Sequence, residues 1–417
     1  MVEQRQVLVN AIASTAGGGR TYLRQVLPRL AERVETSERL TVLVPASMAE
    51  EYRASLRETG GVVTIEPGPV GGVARRWWWE QTRLRDRITE GRYDLLLSLG
   101  NLGLLRSPVP QILFSRSDLL FSRRFRQDLR ERREWRMWLE NQLRFGLASL
   151  SIRRATLNLT PTRAFADRIR EVSWLRKERF EVLPFGVDRE RFEELPEGES
   201  GALPAWWSQA APRPGVRRLL YVSHYNYFRN FEALLRALPA IREGLARTSG
   251  EQVELILTTK LERGAVYGGY DATGAAELID RLGIRSAVRM LGEVPWEELK
   301  RLYRSADLFV CPSYAESFGH PLVEAMASGL PVLSADLPVH REVCGEAARY
   351  FSLDAEGSLA ERAIALLLDR GERERMAASG RERVASLFSW DEHVERLLRL
   401  IREILSAQSG KRRGEES

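Results

Sequence analysis

Short apolar runs alternate with longer amphipathic stretches along almost the whole chain. The first run, RQVLVNAIA at 5–13, is followed by the glycine-rich STAGGGR and then by the amphipathic TYLRQVLPRLAERV. Further strand-like runs lie at 39–45, 61–67, 93–100, 110–115 and 155–162. Strand-length apolar runs that alternate with helical periodicity indicate a parallel sheet covered by helices on both faces.

The same pattern starts again after 194–215, a stretch rich in Pro, Gly and Ser. Strand-like segments RRLLYVSHY, VELILTT, VRMLGEV, DLFVCPS and LPVLSAD then alternate with helical segments, and SWDEHVERLLRLIREILSAQ closes the chain as one amphipathic helix before a polar tail. We therefore predict an α/β protein of two doubly wound, Rossmann-like domains, with ligands bound in the cleft between them at the carboxyl ends of the strands. The predicted boundaries are 1–188 for the first domain, 189–385 for the second, and 386–417 for the final helix and tail.

The composition is that of a globular protein, with 44% hydrophobic and 29% charged residues among 417. No apolar run approaches the roughly 18–20 residues of a membrane helix, and the apolar run near the start is too short for a signal peptide, so we expect a cytoplasmic chain. The two cysteines, Cys311 and Cys344, exclude a disulfide framework, and the chain has no C-x-x-C zinc motif.

The chain is basic, with a net charge of +6 that comes almost entirely from arginine. Such a balance attracts nucleic acid, anionic lipid or phosphorylated substrates. Arginine on ordinary solvated surfaces explains the charge equally well, so charge alone does not select a partner.

Two glutamates bracket the segment ESFGHPLVE at 316–324. A strand is predicted to end before Glu316, and a helix to start near Pro321, a favoured first-turn residue. The free N–H groups and dipole of a helix N-terminus favour an anion such as a diphosphate, and Gly319 allows its close approach. The flanking carboxylates, Glu316 and Glu324, can accept hydrogen bonds from hydroxyl groups at the two ends of a nucleotide-sugar. A helix-capping carboxylate and a second, exposed one are the alternative.

The longer segment FVCPSYAESFGHPLVEAMASGLPV resembles the donor-site signature of retaining glycosyltransferases of the GT-B fold, family four. Other segments resemble that family in the same order along the chain. These are AGGGRTYL, LPFGVDRERF, YVSHYNYFRN, LGEVPWEELKRLYRSAD and FSWDEHVERLL, the last of which forms in the family a helix that crosses back to the first domain.

The resemblance implies roles for individual residues. Glu316 would bind the hydroxyls of the donor sugar, Glu324 the ribose diol, and Arg229 the leaving diphosphate. The other donor-binding positions it implies are Gly17, Gly18, Ser223, His224, Lys260, Met290, Gly292, Phe318, Gly319, His320, Leu322 and Val323. Among these, Phe318 and Gly319 would shape the pocket, and the N–H groups near Leu322 and Val323 would meet the diphosphate. The acceptor-side candidates are Tyr22, Ser115, Arg116 and Asp118.

The chain also departs from the family pattern. Ser223 and His224 stand where the family usually has Gly-Arg, and Arg229 stands where it has Lys. Ser115 and Arg116 stand where many relatives have histidine. Arginine keeps the positive charge and can hold a phosphate through two hydrogen bonds, whereas histidine is positive only near or below neutral pH.

The resemblance implies transfer of a sugar from a UDP- or GDP-sugar, with retention of configuration, to a glycan or lipid-linked acceptor in cell-surface polysaccharide or glycolipid synthesis. No Asp-x-Asp-like motif lies in a suitable loop, so we expect neither a metal ion nor another cofactor. Cations and helix N–H groups aimed at the leaving diphosphate would supply much of the catalysis.

Arginine and tryptophan are concentrated at 75–87 and 121–146. Basic amphipathic segments with aromatic residues suit an anionic membrane surface or a lipid-linked acceptor, which adds peripheral attachment at the inner face of the cell membrane to the expected location. Two surface helices whose tryptophans pack inward are the alternative, and we expect no nucleic acid partner.

Two other functions compete with the glycosyltransferase. One is a basic peripheral membrane or polyanion binding protein with a degenerate donor site, and the other is a GT-B sugar-nucleotide epimerase. A dinucleotide oxidoreductase is disfavoured because the GGG run lacks the G-x-G-x-x-G spacing.

Overall fold

The computed structural model describes residues 4–15, 17–56, 62–175, 178–193 and 206–415. The strands, in chain order, are β1 (Arg5–Asn10), β2 (Glu38–Val44), β3 (Val63–Pro67), β4 (Leu95–Ser98), β5 (Gln111–Phe114), β6 (Leu157–Thr160), β7 (Phe180–Val182), β8 (Val216–Tyr221), β9 (Gln252–Leu257), β10 (Val266–Tyr267), β11 (Tyr270–Asp271), β12 (Val288–Met290), β13 (Leu308–Cys311), β14 (Val332–Ala335) and β15 (Ala348–Phe351).

The α-helices, in chain order, are α1 (Gly18–Arg33), α2 (Ala49–Ser55), α3 (Val73–Trp79), α4 (Arg85–Glu90), α5 (Arg123–Glu131), α6 (Trp135–Arg154), α7 (Arg163–Ser173), α8 (Arg189–Glu193), α9 (Trp207–Ala210), α10 (Phe231–Ser249), α11 (Thr273–Arg281), α12 (Leu299–Arg304), α13 (His320–Ala327), α14 (Pro338–Cys344), α15 (Ser358–Leu368), α16 (Arg370–Leu387) and α17 (Trp390–Glu415). A π-helical turn, Glu80–Leu84, joins α3 to α4.

The chain divides into two compact units. The first contains the chain up to Phe121, then Glu134–Gly186, and then the chain from Trp390 onward. The second contains Ser122–Arg133 and Val187–Ser389. The two-domain α/β prediction is confirmed, but the units are not continuous in sequence: α5, predicted to lie in the first domain, packs with the second unit.

The first unit is built on a seven-stranded parallel sheet of order β3-β2-β1-β4-β5-β6-β7. The central strand β1 is apolar at consecutive positions, and Val7, Leu8 and Val9 are all buried. This is the pattern of a parallel strand that is covered by helices on both faces. Strand β7 was not predicted, because its three residues are too few to show a period.

Helix α17 belongs to the first unit, as expected for a final helix that returns to it. Its apolar positions Val394, Leu397 and Ile401 are buried. Arg402 binds Glu38 at the start of β2 through Nε, at 2.9 Å. The period of about 3.6 residues that predicted an amphipathic helix therefore marks the face that packs against α1.

The second unit is built on a six-stranded parallel sheet of order β12-β9-β8-β13-β14-β15, with a separate antiparallel hairpin, β10-β11. The chain starts the sheet at β8, adds β9 and β12 on one side, and then returns to place β13 on the other side of β8. The carboxyl ends of β8 and β13 therefore flank the point where strand order reverses, which is where ligands bind in open α/β sheets.

The structure describes only part of 194–215, the Pro-, Gly- and Ser-rich stretch between the two predicted domains. Residues 194–205 lie outside the described residues, and the remainder contains the short helix α9. Among the described residues, no helix is both long and apolar enough to cross a membrane.

Candidate active site

Arg229 and Glu316 form an ion pair at the strand-order reversal of the second unit. Arg229 follows β8, at the end of a 3-10 turn, Tyr227–Arg229, and Glu316 lies in the loop after β13. Nη1 of Arg229 donates to Oε1 of Glu316. Their side chains are only 17% and 9% exposed, so the pair is shielded from water and its attraction is stronger than on an open surface.

Hydrogen bonds tie the two loops that carry this pair. The hydroxyl of Tyr221 lies 3.0 Å from the carbonyl of Arg229 and 2.9 Å from Oγ of Ser313. Asn230, whose φ of 54° is left-handed, donates from Nδ2 to the carbonyl of Pro312 at 3.1 Å. The geometry of the pair is therefore set by both strands together.

The guanidinium of Arg229 keeps donor capacity beyond the ion pair. Its Nε is buried and has no hydrogen-bond partner among the described residues. A buried donor without a partner carries a desolvation cost that a ligand oxygen can relieve.

Gly319 allows α13 to begin directly after the loop of Glu316. Its φ is 91°, a conformation that side chains disfavour, and a Cβ there would lie 2.8 Å from Cδ1 of Leu322. The Leu322 N–H donates to the carbonyl of Gly319 at 2.9 Å. The Leu322 N–H thus already takes part in the first turn of the helix, and a contact of the N–H groups near Leu322 and Val323 with a diphosphate stays a prediction. The side chains of Leu322 and Val323 are fully buried.

Phe318 lies in the loop of Glu316, and its side chain is almost completely buried. Its ring centroid lies 5.2 Å from that of the half-buried His320 and 5.5 Å from that of Phe388. The Phe318 side chain thus packs against these two rings.

Glu324 is buried on α13, one turn beyond the helix start. Burial raises the pKa of Glu324 above its ordinary value, and the opposing effects of Tyr303, Arg191 and Trp296 only partly offset this. The hydroxyl of Tyr303 donates to Oε2 at 2.8 Å. Sequence reasoning did not find Tyr303, although its place in the segment LKRLYRSAD was visible.

Arg191 and Trp296 form a second missed feature beside Glu324. The Cζ of Arg191 lies 3.4 Å from the centroid of the Trp296 ring, which is a close cation–π stack. Burial lowers the pKa of Arg191, and the negative charges of Glu297, Asp188 and Glu324 oppose that shift.

Ser223 and His224 follow β8 directly. The Ser223 N–H donates to Oγ1 of Thr258 at 3.0 Å, and its hydroxyl donates to the carbonyl of His224 at 3.0 Å. The imidazole of His224 has an exposed edge, but desolvation lowers its pKa, the charge of Arg229 lowers it further, and Glu293 opposes both effects. Burial and the charge of Arg229 thus both disfavour the positive form of His224, the form that a cationic phosphate clamp needs.

Lys260 and Gly292 are brought together after β9 and β12. Lys260 is exposed, and its Cε lies 3.4 Å from where a Cβ on Gly292 would be. Gly292 has a φ of 80°. Sδ of Met290 accepts the N–H of Leu261 at 3.2 Å. The predicted donor-side residues that follow β8, β9, β12 and β13 thus lie at one edge of the sheet.

The glycine run of the first unit lies between β1 and α1. Gly17 caps α1 with a φ of 51°, and no atom lies within 4 Å of the place its Cβ would take. Gly18 begins the helix. Gly19 lies against Ser14, where a Cβ would come within 3.0 Å of the Ser14 Cα. The open backbone is therefore at Gly17 and the packed one at Gly19.

Tyr22, an acceptor-side candidate, is a core residue. It is fully buried against Phe114, Phe185 and Trp390, and its hydroxyl lies 3.0 Å from Nε2 of His393. Burial raises the pKa of Tyr22, so it stays a neutral phenol. The prediction that it faces an acceptor is wrong, because its whole side chain is used in joining α17 to the sheet.

The other acceptor-side candidates also have structural contacts. Ser115 is fully buried, and Asp118 pairs with Arg168. Burial raises the pKa of Asp118 to about 6, against the lowering effect of Arg168. Arg116 donates to Oγ of Ser14 at 2.8 Å and to the carbonyl of Leu99 at 2.9 Å. Direct contact of Ser115 or Asp118 with an acceptor is therefore not supported.

Two family models match consecutive parts of the chain. The model described as Glycosyltransferase Family 4 matches residues 16–191, and the model described as Glycosyl transferases group 1 matches residues 208–383. The chain belongs to glycosyltransferase family 4.

Curated relatives match this family 4 chain over part of their length. It is 31% identical over 228 residues to a D-inositol 3-phosphate glycosyltransferase from Nocardia farcinica, a stretch that covers 51% of the chain and 48% of the relative. It is 34% identical over 125 residues to O-antigen chain mannosyltransferase B from Escherichia coli, which covers 30% of the chain and 32% of the relative. These matches thus span less than half the length of either relative.

Solved structures match the family 4 chain along nearly its full length. Sucrose-phosphate synthase from Thermosynechococcus elongatus aligns with a TM-score of 0.72 at 16% identity, over 97% of this chain and 100% of that one. HepE from Anabaena, solved in complex with UDP-glucose, aligns with a TM-score of 0.66 at 17% identity, over 95% of this chain and 99% of that one. At such identities the likeness shows the fold, which is GT-B.

Proposed function

We propose that this family 4 chain is a retaining glycosyltransferase that moves a sugar from a UDP- or GDP-sugar to a glycan or lipid-linked acceptor in cell-surface polysaccharide or glycolipid synthesis. The observation that carries the proposal is the shielded Arg229–Glu316 pair at the strand-order reversal of the second unit. A cation and a carboxylate held side by side suit the two ends of the bond that must break, a diphosphate and a sugar.

The reaction breaks the bond between the anomeric carbon and the diphosphate oxygen. Negative charge then develops on the diphosphate and positive charge on the sugar. We assign the remaining N–H groups of Arg229 to the diphosphate, where preorganised donors stabilise the transition state. The acceptor oxygen bonds to the anomeric carbon on the face the diphosphate leaves, and its proton passes to the departing phosphate oxygen.

The two carboxylates divide the recognition of the donor. Glu316 accepts hydrogen bonds from the sugar hydroxyls, and its charge favours the positive sugar of the transition state. Glu324 accepts from the ribose diol through Oε1, since Tyr303 occupies Oε2. The carboxylates are fixed before the donor binds, which lowers the entropy cost of binding it.

Charge neutralisation in this proposal needs no metal ion. Arg229 supplies one positive charge, the exposed Lys260 a second, and the start of α13 a partial one. Among the described residues, no group of three or more His, Cys, Asp or Glu side chains is placed to hold a metal ion. In the first unit, the open backbone at Gly17, together with the adjoining Gly18, is the place we propose for a phosphate or an acceptor hydroxyl.

A peripheral position at the inner, cytoplasmic face of the cell membrane is part of the proposal. On α6, Trp135, Leu139 and Leu143 follow one another at four-residue spacing and are 57%, 54% and 63% exposed. This stripe, which we call the α6 apolar stripe, contradicts inward packing for these residues. Exposed arginines flank it, at positions 136, 144, 153 and 154, and complement an anionic lipid surface.

The other arginine-tryptophan segment, 75–87, is joined to the C-terminal half of α6. Gln81 and Ser151 both donate to the carbonyl of Gly103, at 3.2 Å and 3.4 Å, which joins the helical segment of Trp78 to α6. Trp78 is itself 58% exposed. Exposed tryptophans beside arginines suit the headgroup region of a bilayer.

The deciding experiment is nucleotide binding followed by turnover. Thermal stability is measured with UDP, GDP, ADP and NAD, in the presence of EDTA, for the wild type and for Glu324→Ala. A nucleotide at 100 times its Kd raises stability by about 2.7 kcal/mol, and we expect this only for UDP or GDP and only in the wild type. The matching nucleotide-sugars are then tested for hydrolysis. Absence of any nucleotide effect would favour the polyanion-binding alternative.

A further inference from the structure

Helix α5 is a part of the second unit that the first half of the chain supplies. Its start is capped by Ser122, whose hydroxyl accepts the N–H of Phe125 at 3.2 Å. The helix contacts two loops: the loop after β8, which leads to Arg229, and the loop after β13, which leads to Glu316.

Asp128 of α5 binds the loop after β13. The hydroxyl of Tyr314 donates to Oδ2 of Asp128 at 2.6 Å. The N–H of Tyr314 donates to the carbonyl of Phe228, at 3.0 Å, in the other loop. Tyr314 is buried and lies two positions before Glu316, so its hydrogen bonds join α5, one loop and the other.

Arg132, just beyond the end of α5, binds the loop after β8. Its guanidinium lies 4.2 Å from the ring centroid of Tyr227, and it pairs with Asp128 at 2.8 Å and Glu232 at 3.5 Å. Tyr227 lies two positions before Arg229. Phe125, one turn before Asp128 on the same face of α5, packs against Phe228 with ring centroids 6.3 Å apart.

Asp128 links the contact with the loop after β13 to the contact with the loop after β8. Asp128 accepts from Tyr314 with one oxygen and from Arg132 with the other. A change at Asp128 therefore reaches both loops, and through them both members of the Arg229–Glu316 pair.

We propose that α5 is a positioning element for the catalytic pair, in which Asp128 and Arg132 hold the loops after β8 and β13 in the register that brings Arg229 to Glu316. Neither residue touches the donor in this assignment. The inference deepens the proposed function of the same site, since it assigns residues that set the geometry of the pair.

The test compares Tyr314→Phe with Tyr350→Phe. The hydroxyl of Tyr350 donates to the carbonyl of Gly345 at 2.6 Å, in the same unit and away from both loops, so the control removes a hydroxyl bond of equal length. We expect Tyr314→Phe to lower kcat about tenfold while the Kd for the nucleotide changes less than twofold. Tyr350→Phe is expected to change neither.

Asp128 variants supply a rescue experiment. Asp128→Ala removes the acceptor for Tyr314, whereas Asp128→Asn keeps an acceptor oxygen. We expect kcat to fall in Asp128→Ala and to recover by several fold in Asp128→Asn. Arg130→Ala, on the exposed side of α5, is the control for the helix itself and is expected to keep the wild-type kcat.

Hydrogen exchange gives a readout that does not depend on turnover. In Tyr314→Phe the amides of 226–230 and 312–317 are expected to exchange faster, with no such change in Tyr350→Phe. If the wild type has no transferase activity but this selective exchange is seen, the proposed function fails and the positioning role of α5 stands. If the Tyr314 and Tyr350 variants behave alike in kcat and in exchange, α5 is only packing and the inference is overturned.

Discussion

The hydroxyl of Tyr303 donates a 2.8 Å hydrogen bond to Oε2 of Glu324, and both side chains are buried. The bond fixes which carboxylate oxygen stays available. It also partly offsets the burial that raises the pKa of Glu324. In the proposed site, Tyr303 therefore acts on the donor through Glu324.

Replacement of this tyrosine tests that relationship. In Tyr303→Phe, Glu324 keeps its place but loses a hydrogen bond, which is worth about 0.5–1.5 kcal/mol net. We expect the Kd for UDP or GDP to rise about 2- to 10-fold, with kcat changed less. Isothermal titration with the nucleotide measures the first quantity. An unchanged Kd would show that Oε2 plays no part in donor binding.

Donor binding should weaken in acid. In the proposed site the ribose diol binds the ionised form of Glu324, whose pKa lies above its ordinary value of 4.5 because the group is buried. The affinity for the nucleotide therefore has its full value above that raised pKa. It falls as the pH drops through the pKa, by up to about tenfold per pH unit. Titration of nucleotide affinity from pH 8 to pH 5 measures the loss. In Glu324→Gln the profile should be flatter, and a wild type as flat as this variant would contradict the assignment.

Loss of the Arg229 charge should affect chemistry most. Arg229→Ala removes the cation assigned to the leaving diphosphate and leaves Glu316 buried without its partner, so we expect kcat to fall about 10²- to 10³-fold. Arg229→Lys keeps the positive charge but loses the planar guanidinium with its paired N–H donors. We expect its kcat to lie between those of the wild type and Arg229→Ala. Steady-state kinetics at saturating donor measure both. Equal activity of the lysine and alanine variants would show that charge at this position is unimportant.

The α6 apolar stripe should bind anionic vesicles. We expect the wild type to sediment with phosphatidylglycerol vesicles but not with phosphatidylcholine vesicles, and less so in 0.5 M salt, where charge attraction is screened. Leu139→Asp with Leu143→Asp should abolish sedimentation. Leu387→Asp, at a 46% exposed leucine of the second unit, is the matched control. If the wild type does not bind vesicles but forms dimers that the double variant does not form, the α6 apolar stripe is a surface for self-association.

The contact of α17 with Tyr22 should be important for the stability of the first unit. In His393→Ala the Tyr22 hydroxyl loses its partner in a buried site and four aromatic rings lose a neighbour. We expect a loss of about 2–4 kcal/mol in the free energy of unfolding. Chemical denaturation measures it, with the exposed His224→Ala as a control that should change stability little. A stable His393→Ala protein would show that α17 is held mainly by its aliphatic face.

The sequence carried enough information to predict the two sheets and the loop of Glu316. Apolar runs marked most strands, and the predicted start of a helix near Pro321 lies within one residue of the start of α13 at His320. The pairing of Arg229 with Glu316 was not predictable from spacing, because these residues are 87 positions apart and meet only since β13 lies beside β8.

The misplaced residues share one cause. Ser115 and Asp118 follow the carboxyl end of β5, where both ligand contacts and packing occur, and Tyr22 lies on α1, the helix after β1. A sequence does not distinguish a polar group that faces a ligand from one that is buried in the protein. Helix α5 was misassigned because its neighbours along the chain belong to the first unit. Its true partners, Tyr227 and Tyr314, come much later in the sequence.

The return of α17 to the first unit has a consequence for synthesis. Tyr22 leaves the ribosome 371 residues before its hydrogen-bond partner His393. At about 5–20 residues per second, the interval is roughly 20–75 s. During that time the apolar side of α1 is without its cover, while the second unit, which is complete once residue 389 has emerged, can fold around an α5 that was made earlier. The unit made first is therefore the one finished last. All seven strands of its sheet are made by residue 182, so the species that a chaperone would meet has the whole sheet but lacks α17.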